Sequence, residues 1–162
     1  MTYPPELFHG REGEPSTWVR RGDAPADVTY ANGGTVDYLA TGEATGGLFG
    51  LYRWNFSGPV SGPGAHFHKT ISESFYVLAG TVMFYDGRAW RDGQPGDFVH
   101  VPPGGIHGFR NESGRPASML LHFAPGAPRE AYFETLKAVG EGLAMTAEER
   151  EAFMVAHDTH WL

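Results

Sequence analysis

Residues 66–80 read HFHKTISESFYVLAG, and the reading of this stretch decides the fold. His66 and His68 are two positions apart, so on an extended strand, where side chains alternate, both imidazoles leave from one face. Glu73 follows and opens an apolar run, Ser74-Phe75-Tyr76-Val77-Leu78, that ends at Ala79-Gly80, with Thr81-Val82-Met83-Phe84-Tyr85 beyond the turn. Two histidines and a carboxylate converging from one hairpin would be three ligands of a divalent metal. His107 comes after Pro102-Pro103-Gly104-Gly105, a stiff turn able to aim a fourth ligand inward. Spacing by itself leaves that convergence open.

Outward from this centre the chain reads as further short strands. Residues 28–31 and 35–40 flank Asn32-Gly33-Gly34, a hairpin signal, and 48–56 (LFGLYRWNF) is a longer strand before a loop over 58–64. Asp86-Gly87 turns the chain into 88–91, and 98–101, 106–111 and 117–123 follow, each bounded by Gly or Pro. Eight to ten strands at this spacing predict an all-β sandwich or barrel rather than βαβ units. After Pro125-Gly126 the period changes. Pro128 suits the first turn of a helix running to about residue 139, with Tyr132, Phe133, Leu136 and Val139 on one apolar face. Thr146 and Glu149 form a capping-box pattern for a second helix, whose buried side is expected to be Ala152, Phe153 and Ala156. Residues 1–26, rich in Pro, Gly and charge, read as an extended arm. The organisation expected is therefore an arm over 1–26, a β domain over 27–127 and a helical segment over 128–162.

Composition narrows the chemistry. The 162 residues contain no cysteine, which excludes thiol nucleophiles, Cys-ligated zinc and disulfides. A net charge of −7 argues against a nucleic-acid backbone or an anionic membrane as partner. No apolar run approaches the length of a membrane span, and the start has no secretory pattern, so a cytoplasmic protein is expected. Aromatic residues at 14% with charged residues at only 19% suit tight strands around an apolar interior.

Taken together the two histidine-bearing stretches resemble the cupin family. His66, His68, Glu73 and Gly80 match its first motif, with four residues between His68 and Glu73 and six between Glu73 and Gly80. Gly96, Pro102, Gly104, His107 and Asn111 match the second, and the 15 residues between the motifs are typical of compact members. One position departs: the family's opening glycine falls on Val60, with Gly58, Gly62 and Gly64 around it. The resemblance implies a double-stranded β-helix, or jelly roll, with His66, His68, Glu73 and His107 binding one divalent transition metal per chain (Fe, Ni, Mn, Cu, Co or Zn). It also implies tight turns at Gly80 and Gly104 and a strand end closed by Asn111.

Strand parity with Glu73 and His107 places Phe75, Val77 and Phe109 toward the interior as substrate-contacting candidates, and Phe67 and Tyr76 outward. Only one of Arg53 and Trp54 can face the cavity. His100 and His122 read as ordinary packing residues or, alternatively, as groups that support the metal ligands. His157-Asp158-Thr159-His160 reads as a surface tail or, alternatively, a flap over the barrel mouth. The run Ala124-Pro125-Gly126 with Arg129-Glu130 and Phe133-Glu134 is similar to the tail of single-domain quercetinase-like proteins. That likeness implies a dioxygenase acting on a small aromatic or enolic molecule, with Glu73 as both ligand and proton acceptor. A non-redox isomerase, cyclase or lyase and a ligand-binding module are the alternatives. A homodimer is expected, as symmetric pairs dominate oligomers.

Overall fold

The computed structural model describes residues 2–162. Its elements run β1 (Val28–Thr29), β2 (Thr35–Ala40), β3 (Gly50–Phe56), β4 (His66–Phe67), β5 (Ser72–Ala79), β6 (Val82–Tyr85), β7 (Trp90–Gly93), β8 (Phe98–Val101), β9 (Gly108–Arg110), β10 (Ala117–Ala124), α1 (Glu130–Gly140), α2 (Ala147–Ala156) and β11 (His160–Trp161). Six strands form one antiparallel sheet in the order β1-β2-β3-β10-β5-β8. The opposing layer consists of β7-β6-β9 and β11-β4, linked where Ser61 bridges Asn111 and His66 bridges His107. This is the jelly roll that the motifs imply.

Alternation puts the core between the layers. Along β10, Ala117, Met119, Leu121 and Phe123 are buried while their neighbours are half-exposed, and they meet Tyr52, Phe75, Val77 and Val82. Both helices pack at one end of the sheets. Phe133 of α1 lies edge-on to Tyr52 and Trp54 of β3, at 5.2 and 5.7 Å between ring centroids. Thr146 caps α2 in a full capping box, donating its backbone N–H to Glu149 and accepting from the Glu149 N–H.

Several boundaries differ from the sequence expectations. The expected strand over 88–91 lies at Trp90–Gly93, because the Asp86 carboxylate accepts from the N–H groups of Arg88 and Ala89 and holds those residues in a turn. The first helix starts at Glu130 rather than Pro128. The buried side of α2 is Phe153 and Met154 rather than Ala152, Phe153 and Ala156, since the two alanines face solvent. The expected strand over 106–111 narrows to Gly108–Arg110, with His107 and Asn111 as single bridges at its ends. Strand β11 has no counterpart in the sequence reading. Residues 2–25 carry no strand or helix and are nearly all exposed.

Val60 is exposed, and the close backbone approach in this loop occurs at Gly62. Gly62 has φ +132°, and a Cβ there would lie 2.1 Å from the Phe109 carbonyl oxygen. No helix among the described residues is long and apolar enough to cross a membrane.

Candidate metal centre

His66 and His107 face each other across two strands as a hydrogen-bonded pair. The His66 N–H donates to the His107 carbonyl at 2.8 Å, and the His107 N–H returns the bond to His66 at 2.9 Å. Their rings are consequently 4.3 Å apart. His68 lies just past the end of β4 on the same side, its ring 5.1 Å from that of His66 and 5.2 Å from that of His107. The glycine-rich turn before His107 is tied to this strand, because the Gly104 N–H donates to the His68 carbonyl at 2.7 Å. Gly104 itself has φ +82°, a conformation that favours glycine. Glu73, 3% exposed, reaches the same point from β5 in the facing sheet.

All three imidazoles are oriented by backbone carbonyls. Nδ1 of His66 lies 2.9 Å from the Gly64 oxygen, Nδ1 of His107 2.9 Å from the Gly105 oxygen and Nδ1 of His68 2.5 Å from the Asp158 oxygen. A carbonyl only accepts, so each Nδ1 carries a proton, and Nε2 is the atom that faces Glu73: it donates to that carboxylate while protonated and would offer its lone pair to a cation once the proton has left. The four ligand atoms all lie within 4.8 Å of one another. Glu73 Oε2 is 2.8 Å from His107 Nε2 and 3.1 Å from His68 Nε2. Metal–ligand bonds of about 2.1 Å at right angles put adjacent donor atoms about 3 Å apart, so these spacings fit one ion. The donor set, three neutral imidazoles and a carboxylate, suits a first-row transition metal.

Electrostatics agree with a site built for a cation. Burial would raise the Glu73 carboxyl, but hydrogen bonds from His107 and His68 outweigh it and hold the group well below the usual carboxylate range. Burial lowers His66 to about 4, with His107 beside it acting in the same direction. For His107 the burial cost is exceeded by its bond to Glu73, and its proton affinity is raised.

A cavity of about 480 Å³ opens above His66 and Glu73. Its walls include Trp54, Phe109, Phe123, Tyr132, Phe133 and Trp161. Phe109 therefore stands where parity placed it, and Trp54 rather than Arg53 faces inward, Arg53 being paired with Asp37 at 2.6 Å. Phe75 and Val77 point inward but do not line the cavity, a correction to their expected contact with substrate. They lie farther along β5, where Phe75 packs on Phe84 and Phe109 at 5.2 and 5.3 Å and the two layers close on each other. Tyr76 is exposed, as parity required. His100 accepts or donates with Ser74 at 2.9 Å, and His122 stacks on Phe49, both away from the cavity.

The motif glycines Gly80 and Gly96 have φ +71° and +97° and turn the chain at strand ends. The Gly105 N–H donates to the Pro102 carbonyl at 2.9 Å, which stiffens the turn before His107. Asn111, fully buried, closes the 111–115 turn by donating to the Arg115 carbonyl and accepting from Ser113.

The C-terminal stretch is the chief surprise. Asp158 has φ +52°, and its carboxylate accepts from the N–H groups of Lys69 and Thr70 and from the Thr70 hydroxyl at 2.7–3.1 Å. Beyond it β11 pairs with β4, setting His160 opposite Phe67 and Trp161 opposite His66, and the Trp161 and His66 rings are 5.2 Å apart. The tail is thus a strap over the ligand-bearing strand. Arg129, from the turn before α1, lines the cavity as well, a place that no local sequence pattern assigns to it.

Comparison with known proteins agrees with this geometry. The sequence model of the Cupin domain family matches residues 57–123. Quercetin 2,3-dioxygenase of Bacillus subtilis (strain 168) is 37% identical over 82 residues, which is 48% of this chain and 22% of that protein's length. The polyketide cyclase RemF from Streptomyces resistomycificus superposes with a TM-score of 0.55 at 25% identity, over 69% of this chain and 81% of that one. Ectoine synthase from P. lautus gives a TM-score of 0.59 at 15% identity over 75% and 86% of the two chains, a likeness of fold alone. With both motifs, the jelly roll and the family match in agreement, residues 57–123 of this chain are a cupin domain.

Proposed function

We propose that this chain is a metal-dependent enzyme that acts on a small aromatic or enolic molecule, a dioxygenase of the quercetinase-like type. The observation that carries the reading is the convergence of three imidazoles and the Glu73 carboxylate on one point, with His66 and Glu73 lining an aromatic-walled cavity. His66, His68, Glu73 and His107 would hold one divalent metal. Once bound, that ion would supply Lewis-acid polarisation of a substrate oxygen and, if redox-active, one-electron chemistry with O₂. The aromatic walls would hold a planar substrate and exclude water, and Glu73 would accept the proton of its enol. The partial match to the Bacillus dioxygenase supports the choice of reaction.

The test is metal content per chain in protein purified without added metal, followed by O₂ uptake with flavonols. Glu73→Gln is expected to lower turnover by about 10²-fold or more. Absence of a stoichiometric metal, with none taken up on titration, overturns the reading.

A second reading is non-redox catalysis such as cyclisation, supported by the likeness to RemF, which extends over more of both chains. It would proceed anaerobically and tolerate Zn²⁺, whereas the dioxygenase would do neither. The expected homodimer would use the outer face of the larger sheet, where Tyr76 and Phe98 stand opposite each other on β5 and β8 at 42% and 65% exposure. Light scattering decides that point.

A further inference from the structure

The cavity holds a cation that metal binding does not account for. Arg129 lines it and is 4% exposed, yet it forms no ion pair among the described residues. One terminal nitrogen donates to the His157 carbonyl at 2.6 Å. The guanidinium carbon sits over the rings of Tyr132, Phe123 and Phe133 at 4.1, 5.1 and 5.9 Å, which covers its faces. Nε is buried with no hydrogen-bond partner. Arginines removed from water this far are ordinarily paired with a carboxylate or phosphate.

The surroundings sharpen the point. Arg150 and Lys137 also line the cavity, and Lys137 is matched by Glu141 at 3.3 Å. Glu73 is the one carboxylate among the lining residues, and it is committed to His68 and His107. A chain of net charge −7 therefore encloses a cavity whose uncompensated charge is positive. Its walls are aromatic, so the complementary ligand combines a flat apolar body with an anionic group.

We propose that Arg129 is the anion anchor of this cavity and that the ligand is an aromatic carboxylate, its ring system between the aromatic walls and its carboxylate paired with the Arg129 guanidinium. Arg150, exposed and also among the lining residues, adds to the positive charge that draws the anion in. This names the substrate class of the enzyme proposed above and rests on that reading for its chemistry, but the binding preference itself needs no turnover. A planar guanidinium with delocalised charge suits a carboxylate better than a lysine ammonium does.

The probes are 2-naphthoate and its neutral analogue 2-naphthamide, titrated by quenching of tryptophan fluorescence, since Trp54 and Trp161 both line the cavity. The metal-loaded protein is expected to bind the naphthoate about tenfold or more tighter than the amide. Arg129→Met is expected to abolish this preference while leaving amide affinity within about threefold, and Arg129→Lys to reduce it. Equal binding of the two probes by the wild type overturns the proposal. So does loss of both probes together in a folded Arg129→Met, which would make Arg129 a strut between α1 and α2 and nothing more. Should Arg129→Met not fold, Arg129→Lys decides: an undiminished preference overturns the proposal and a diminished one supports it. The titrations are repeated after chelator treatment. A preference that survives metal removal and falls with Arg129 stands even if the chain holds no metal in the cell, whereas one that vanishes with the metal and ignores Arg129 belongs to the metal.

Discussion

Replacing Asp158 separates two contributions of the strap that crosses the ligand strand. Asp158→Ala removes a carboxylate that accepts four contacts from Lys69 and Thr70 and places a Cβ-bearing residue without a local hydrogen bond at φ +52°. Hydrogen bonds to a charged acceptor are worth roughly 1.5–3 kcal/mol when buried, but water reaches this carboxylate, so the set as a whole merits about 2 kcal/mol. The left-handed backbone adds about 1 kcal/mol for alanine. Asp158→Ala should therefore cost about 3 kcal/mol and Asp158→Gly, which accepts the backbone freely, about 2 kcal/mol. Asp158→Asn keeps one acceptor oxygen and tolerates the conformation, so it should cost about 1 kcal/mol. Urea denaturation checks the order.

The same series reads out on the metal. The Asp158 carbonyl orients His68, and loss of such support ordinarily weakens metal affinity by about 10–100-fold. Co²⁺ titration should thus show the alanine variant weakest and the asparagine variant near wild type. Burial would raise the Asp158 carboxyl, but its bonds to Thr70 and Lys69 outweigh that and hold it below the usual carboxylate range. The contribution is therefore complete above the unfolded-state value and fades as pH falls through the lower folded one. Three variants all within about 0.5 kcal/mol of wild type, with unchanged Co²⁺ affinity, would refute the strap.

Other consequences are testable with simple means. Raised proton affinity at His107 means that metal entry must displace a proton there, so affinity for Co²⁺ should rise with pH and level off only above the ordinary imidazole range, with proton release visible by calorimetry in buffers of different ionisation heat. Gly62→Ala would force a Cβ into the Phe109 carbonyl at a positive φ, and chemical denaturation should show a loss of more than about 2 kcal/mol. Thr146→Ala should cost about 1 kcal/mol in the same assay by removing the α2 cap, with metal binding intact.

How much of this was legible beforehand follows the range of the interactions. The shared face of His66 and His68 was readable because a two-residue period is a local property, whereas their convergence with Glu73 and His107 came only from the family resemblance. The capping box was readable for the same reason: Thr146 and Glu149 are three residues apart. The strap was not, because Asp158 meets Lys69 and Thr70 across nearly ninety residues and no local pattern encodes that pairing. The apolar face of α1 was visible as Tyr132, Phe133 and Leu136, but periodicity cannot distinguish a face that seals a core from one that walls a cavity. Parity assigned Phe75 and Val77 to the interior correctly and still misplaced them, since depth along a strand is set by how the second layer closes over it.

The origin of the cavity in two kinds of scaffold has a consequence for how such a protein can diversify. His66 and His107 are locked together through backbone bonds between strands, and those bonds do not depend on which side chains stand nearby. Tyr132, Phe133, Leu136 and Met154, by contrast, are helix side chains laid over the sheets. Substitutions there can reshape the chamber, enlarge it or reverse its charge without disturbing the floor. What the cavity admits can therefore vary on α1 and α2 while the cluster of His66, His68, Glu73 and His107 on the strands is left in place.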